Sequence, residues 1–161
     1  MNIFYLDSNP TICAAMHNDK HCVKMILETA QILSTAHHAY NSDVPNLYKP
    51  THKNHPSTVW ATASAMNYQW LWQLLNELCK EYTHRYQKTH KVQGSGLLSA
   101  LYSPPVSMPV LAFTQPPQAM PDDCKAQNSI QAYRDYYIKH KAHIAKWTNR
   151  QIPNWFITNN S

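Results

Sequence analysis

DKHCVKMILETAQILSTAHHAY, residues 19–40, is the stretch whose reading decides the fold. Its apolar residues Val23, Ile26, Leu27, Ala30 and Leu33 recur at spacings of three and four, the repeat of one helix face. Asn18 or Asp19 can cap its start. The pattern predicts a helix to about Tyr40 with that stripe in the core. Residues seven apart lie two turns apart on the same face. His21, Lys24 or Met25, and Glu28 therefore share a second strip, which Gln31 and Thr35 extend. A base, an amine and a carboxylate on one strip read either as a solvated face or half-buried histidine, or as a site.

Outward from this helix the reading stays mainly α. Residues 1–7 are too short for a helix and predict a strand or a buried extended arm. Ser8-Asn9-Pro10 marks a helix start, with proline in the first turn. Residues 41–54 form a polar loop. Pro56 opens the longest predicted helix, which runs to about Tyr86 along Val59, Met66, Trp70, Leu74, Leu78 and Tyr82. Residues 88–126 hold both glycines, Gly94 and Gly96, and six of the eleven prolines, so they read as a long irregular excursion. Leu97, Leu98, Leu101, Tyr102, Leu111 and Phe113 argue that it packs. Asn128 or Ser129 caps a last helix to about Lys146, and Pro153-Asn154-Trp155-Phe156 docks by its aromatics. The expectation is an all-α, single domain over 1–161, of three main helices plus short ones, with a long packed Pro-rich loop.

Composition bounds the function. At 161 residues the chain can bury a real core. The formal charge of +5 permits a nucleic-acid or phosphate partner without demanding one. Cys13, Cys22, Cys79 and Cys124 form no CxxC pair, and no apolar run approaches a membrane span. MNIFYLD does not read as a signal peptide. These features predict reduced thiols in a cytoplasm and no membrane partner.

Thr51-His52-Lys53-Asn54-His55-Pro56 stands directly before a helix. A helix N-terminus carries unpaired N–H groups and partial positive charge, so His52, Lys53, Asn54 and His55 form a candidate phosphate seat or an ordinary capped loop. His52/His55 and His140/His143 are spaced by three, but there is no HExxH and no cysteine at ligand spacing, so no metal or other cofactor is assigned. Asp122-Asp123 can supply a carboxylate or cap a turn. Trp60, Tyr68, Trp70 and Trp72 read mostly as core, with one, Trp60 for instance, available to stack on a base.

Asp19-Lys20-His21 with Glu28 seven residues on resembles the first helix of the phage pyrimidine-dimer DNA glycosylases, where Asp-Gln-His precedes a catalytic glutamate at the same spacing. His55 before a helix containing Trp60, Tyr68 and Leu71 continues the likeness, as do Lys146-Trp147 and Arg150-Gln151-Ile152-Pro153-Asn154-Trp155 at the end. The DKH helix, the THKNHP stretch and the Ala-Met-Pro-Asp loop also resemble a closer group of phage and bacterial proteins of unassigned activity. The glycosylase resemblance implies a small all-α repair enzyme in which an α-amine attacks the sugar C1′. The attack releases the base, and the imine that forms on opening of the sugar leads to strand cleavage. In that family the amine belongs to a threonine exposed by removal of the initiator methionine. Here the bulky Asn2 would keep Met1 in place, and the arm before the DKH helix is longer. The resemblance then makes Met1 the candidate nucleophile, Glu28 the carboxylate that steers charge at C1′, and His21 its positioning residue. Lys20 or Lys24 could replace the amine.

The leading expectation is thus a DNA-binding glycosylase/lyase-like enzyme for a damaged or modified base. His52, Lys53, Asn54, His55, Trp60, Lys146, Trp147 and Arg150 would bind its substrate. The alternatives are a small-nucleotide phosphodiesterase or nucleotide-sequestering protein, and a non-catalytic nucleic-acid-binding protein.

Overall fold

The computed structural model describes residues 1–160, and these form an all-α molecule with no strand. Helix α1 (Pro10–Met16) starts at Asn9, whose side-chain oxygen accepts the backbone N–H groups of Thr11 and Ile12. Helix α2 (Asp19–Ala39) is capped by Asn18, which accepts from the His21 N–H. Cys22, Ile26, Ala30 and Leu33 are fully buried, and Met25, Ile32 and Ala36 nearly or wholly so. Val23 and Leu27 were expected in this core but are 40% and 43% exposed. The apolar face is rotated from the predicted stripe, because His21, Thr29, Thr35 and His37 also turn inward, each to a partner or into the packed interior.

The predicted helix from Pro56 to Tyr86 is two helices, α3 (Pro56–Ala63) and α4 (Ala65–Tyr86), broken at the extended Ser64. A break strands backbone groups, and the segment 109–114 pairs with them. The Ala65 N–H donates to the Pro109 carbonyl at 2.8 Å. Ser64 Oγ donates to the Leu111 carbonyl at 2.7 Å. Asn67 Nδ2 donates to the freed Trp60 carbonyl at 3.0 Å, while Asn67 Oδ1 accepts the Thr114 N–H. The break is thus made by residues more than forty positions away, outside any local pattern.

The excursion after α4 packs, as its composition implied, through α5 (Lys91–Gly94) and α6 (Leu97–Ala100). Gly96 joins them with φ +89°, a conformation that side chains disfavour. Leu97, Leu98 and Leu101 are buried, but Tyr102, Leu111 and Phe113 remain substantially exposed. A 3₁₀ turn at Asp122–Cys124 leads to α7 (Ser129–His140), which is capped by Asn128 and stops short of the predicted Lys146. Helix α8 (Asn154–Asn160) closes the fold, with Phe156 against Trp147 at 5.1 Å between ring centroids. All four cysteines are buried and free. Among the described residues, no helix is long and apolar enough to cross a membrane.

Candidate active site

Residues 1–7 are extended, and Ile3, Phe4, Tyr5 and Leu6 are buried, so the chain begins with a strap threaded into the helices. Its carbonyls are held from several sides. Cys13 Sγ donates to Phe4 O, Arg134 Nε to Leu6 O at 2.9 Å, and Trp70 Nε1 to Ser8 O at 2.9 Å. The Phe4 ring stacks on the His21 imidazole at 4.0 Å and meets Tyr133, Tyr136 and Tyr137.

The strap ends against α2. The α-ammonium of Met1 lies 2.8 Å from Glu28 Oε1, with the two side chains only 5% and 13% exposed. Lys24, one turn earlier, places its exposed Nζ 3.6 Å from Glu28 Oε2. Three residues of the predicted strip, seven apart, thus each fix a different piece of chain: His21 fixes Phe4, Glu28 fixes Met1, and Thr35 fixes the following loop. Thr35 Oγ1 accepts the Thr51 N–H and donates to the Thr51 carbonyl.

That loop carries the histidines. His52 sits at φ +48°, an uncommon conformation for a side chain, and its Nδ1 pairs with Thr51 Oγ1 at 2.8 Å. His55 caps α3 by accepting the Ser57 N–H at Nδ1, which leaves Nε2 as the protonated nitrogen of the neutral ring. Burial lowers the His55 pKa, and the charges of the Met1 ammonium and of His52 lower it further, with Glu28 opposing. The loop therefore lies within electrostatic reach of the amine–carboxylate pair. His52, Lys53 and Asn54 are exposed.

His21 is placed deeper than expected. It is 6% exposed, and its Nδ1 meets the Tyr137 hydroxyl at 2.8 Å. That hydroxyl also accepts the Asn18 N–H at 3.3 Å, so one phenol ties the start of α2 and the imidazole together. Burial pushes the His21 pKa down to about 3, with the charges of His17, Lys141 and Lys24 adding to it. A neutral, packed imidazole of this kind aligns the strap through Phe4 and does not line an open cleft.

The remaining candidates divide. Trp60 is buried, with Nε1 donating to the Thr114 carbonyl and Oγ1 and its ring against Phe113, so it holds the helix break and offers no free stacking platform. Trp147 is likewise core, donating to the Met16 carbonyl at 2.8 Å. Arg150 forks onto Glu81 at 2.7 and 3.0 Å. The Lys146 side chain is exposed, while its carbonyl accepts the Asp19 N–H.

Arg85 stands at the end of the long helix, where a cation suits the dipole or a phosphate track, but its side chain is wholly buried between Glu81 at 3.0 Å, Asp19 at 3.0 Å and the Ala15 carbonyl. Burial raises the Asp19 and Glu81 carboxyls, but hydrogen bonds outweigh it: from Thr148 and Arg85 on Asp19, and from Arg150 and Arg85 on Glu81. Both pKa values end below the usual carboxylate range. The Asp of the DKH triplet is therefore a structural anchor. A cavity of about 710 Å³ opens beside this network among Ile12, Met16, Glu81, Arg150 and Ile152, and Met1 and Glu28 are not in its lining. Its charged groups already pair with one another, Glu81 with Arg150 and Glu77 with Lys80.

The model of the pyrimidine dimer DNA glycosylase family matches residues 1–94, more than half of the chain. The chain belongs to that family. The matched span carries the strap, all of α2 and the 51–56 loop, and it ends with α5. Membership places the chain among DNA-repair proteins of glycosylase type, whose substrate is DNA. No curated protein and no solved structure matches it.

Proposed function

We propose that this family member is a DNA glycosylase with lyase activity in which the Met1 α-amine is the nucleophile and Glu28 its catalytic carboxylate. The observation that carries the reading is the 2.8 Å approach of the amine to Glu28 at the end of a buried strap. An α-amine is an ordinary feature of a chain, and most sit on mobile ends in water. This one is fixed by four buried residues behind it and a carboxylate in front.

The chemistry follows from the arrangement. As an ion pair the amine holds a proton and has no lone pair to donate. The proton must leave before attack on C1′, and Glu28 is the acceptor within hydrogen-bond distance. As the base departs, positive charge develops at the sugar, and a carboxylate beside it is stabilising. The target nucleotide must leave the duplex stack to reach the amine, which costs a few kcal/mol and least at a damaged pair. Lys53, Asn54 and His52 form the exposed polar edge beside the site and supply phosphate contacts, with Lys20 and Lys24 along α2.

Borohydride reduction on duplex DNA with an abasic site is the test. The expected result is a covalent protein–DNA adduct that maps to residue 1. N-terminal acetylation, or an added residue before Met1, should abolish it. An adduct that survives blocking and maps to a lysine overturns the role of Met1. Failure to bind or trap duplex DNA, together with saturable binding of mononucleotides, would favour a nucleotide-binding protein instead.

A further inference from the structure

We propose a zinc site, independent of the glycosylase centre, formed by Asp123, Cys124 and His140 where the 3₁₀ turn at Asp122–Cys124 meets the last turn of α7. One ligand atom from each residue lies within 4.8 Å of the other two. His140 Nε2 is 3.0 Å from both Asp123 oxygens, and Cys124 Sγ is 3.6 Å from Asp123 Oδ1. Zinc bonds of about 2.0–2.3 Å at tetrahedral angles separate ligand atoms by roughly 3.3–3.6 Å. The separations from Asp123 to His140 and to Cys124 are thus already within a few tenths of an ångström of those values, and the sulfur-to-imidazole separation is at most 4.8 Å, so side-chain rotation alone can bring the three onto one ion. Thiolate, imidazole and carboxylate together are the donor set that zinc selects over magnesium or calcium.

The backbone holds this geometry before any ion enters. The Cys124 N–H donates to the Pro121 carbonyl, closing the turn. Lys139 Nζ donates to the Asp123 carbonyl at 2.6 Å, tying the turn to α7 beside His140. Cys124 is buried, while the Asp123 and His140 side chains are 57% and 38% exposed, so an ion enters from solvent and meets the sulfur last. Its fourth position stays with water. Binding converts the thiol to thiolate and releases one proton to solvent, so affinity rises with pH. Lys139, Asp135 and the Asp122–Lys125 pair are other charges nearby, and Lys139 opposes the ion while Asp135 favours it. The two anionic ligands offset it. The site lies beyond residue 94, outside the span that the family model matches.

Zinc titrated into the metal-free full chain against a chromogenic chelator measures the site. The expected result is one zinc per chain. Asp123→Asn and His140→Gln, both at exposed side chains, should each weaken it at least tenfold, by analogy with the about 10–100-fold cost of losing even an outer-shell partner. Cobalt(II) should give a thiolate charge-transfer band that Cys124→Ala removes, and His143→Ala should bind as the parent does. No stoichiometric zinc, unchanged affinity in His140→Gln, or a cobalt spectrum without the thiolate band would overturn the site. The exposed-residue variants keep the test decisive if Cys124→Ala does not fold.

Discussion

Two ion clusters sit in the same helical scaffold and differ in how far their hydrogen-bonding capacity is filled. Around Arg85 every guanidinium nitrogen has an acceptor, and each carboxylate answers with more than one donor: Glu81 to Arg85 and Arg150, Asp19 to Arg85 and Thr148. Such a cluster fixes α1, α2, α4 and the 148–150 segment to one another. At the other cluster a primary amine meets one carboxylate at 2.8 Å, and among the described residues the carboxylate's second oxygen has only an exposed lysine at 3.6 Å. Saturation makes structure, while spare capacity leaves a group free to exchange a proton. Burial alone would not tell the two apart.

The comparison breaks first at Arg85. Arg85→Ala leaves Glu81 and Asp19 partly buried without their shared cation, a loss expected to destabilise by about 3–5 kcal/mol. Denaturant unfolding should show that fall in midpoint with an unchanged slope. A change under about 1 kcal/mol would mean the cluster is solvated and not the anchor described.

Glu28→Gln should do the reverse, sparing the fold and stopping the reaction. The amide keeps the shape of the side chain and a hydrogen-bond acceptor, but gives up the charge and the basicity. Single-turnover base release should slow by about a hundredfold or more, with DNA affinity unchanged or raised by the loss of one negative charge. A variant of full rate refutes the carboxylate's role.

Histidines sharpen the contrast on the stability side. His17 and His21 flank Phe4, and burial lowers their pKa values to about 4 and about 3 from 6.5. A depressed histidine pKa means the unfolded chain binds the proton first. Its contribution is complete above pH 6.5 and is lost as pH falls toward the folded values. Each group then costs about 1.4 kcal/mol per pH unit, so stability should fall by roughly 2–3 kcal/mol between pH 6.5 and 5.5 and further below. The Asp19 and Glu81 contributions remain intact in that window, because both carboxyls titrate below it. His21→Gln should flatten the slope by about half. A stability profile that is level from pH 6.5 to 5 would show that neither ring is buried neutral.

How much of this was legible in the sequence follows from the range of the interactions. Helix α2, its Asn18 cap and the His21–Glu28–Thr35 strip depend on neighbours within a few turns, and periodicity shows them. The partners of that strip do not: Met1 reaches Glu28 across the strap, and Tyr137 reaches His21 across 116 positions. The break at Ser64 and the anchoring of Trp60 and Trp147 are invisible for the same reason, since an indole reads alike in sequence whether it is held by Thr114, held by Met16 or open to a flipped base. Arg150 read as a free phosphate contact because Glu81 lies 69 residues away. Val23 and Leu27 read as core because hydropathy alone does not reveal that histidine and threonine outcompete them for the interior by hydrogen bonding.

Lys24 carries the smallest expected effect and the finest discrimination. It stands one turn before Glu28, as an amine in the neighbourhood of the same carboxylate. Two geometric facts set it below Met1. Its Nζ is 3.6 Å from Glu28 Oε2, beyond a good charge-assisted hydrogen bond, where the Met1 amine is at 2.8 Å. Its side chain is 70% exposed, so water competes for the proton and the flexible stem must be immobilised for any attack. Lys24→Ala should therefore change stability by less than about 0.5 kcal/mol, as for other exposed pairs at this helical spacing. DNA affinity should weaken slightly, with the salt slope reduced by about one unit if Lys24 touches a phosphate. Borohydride trapping should proceed within about twofold of the parent, because the transition state loses no partner. Loss of trapping in Lys24→Ala, with the fold and the DNA affinity preserved, would move the nucleophile from the strap to the helix. Glu28 would then serve a side-chain amine, and the buried strap would be only another anchor like Arg85.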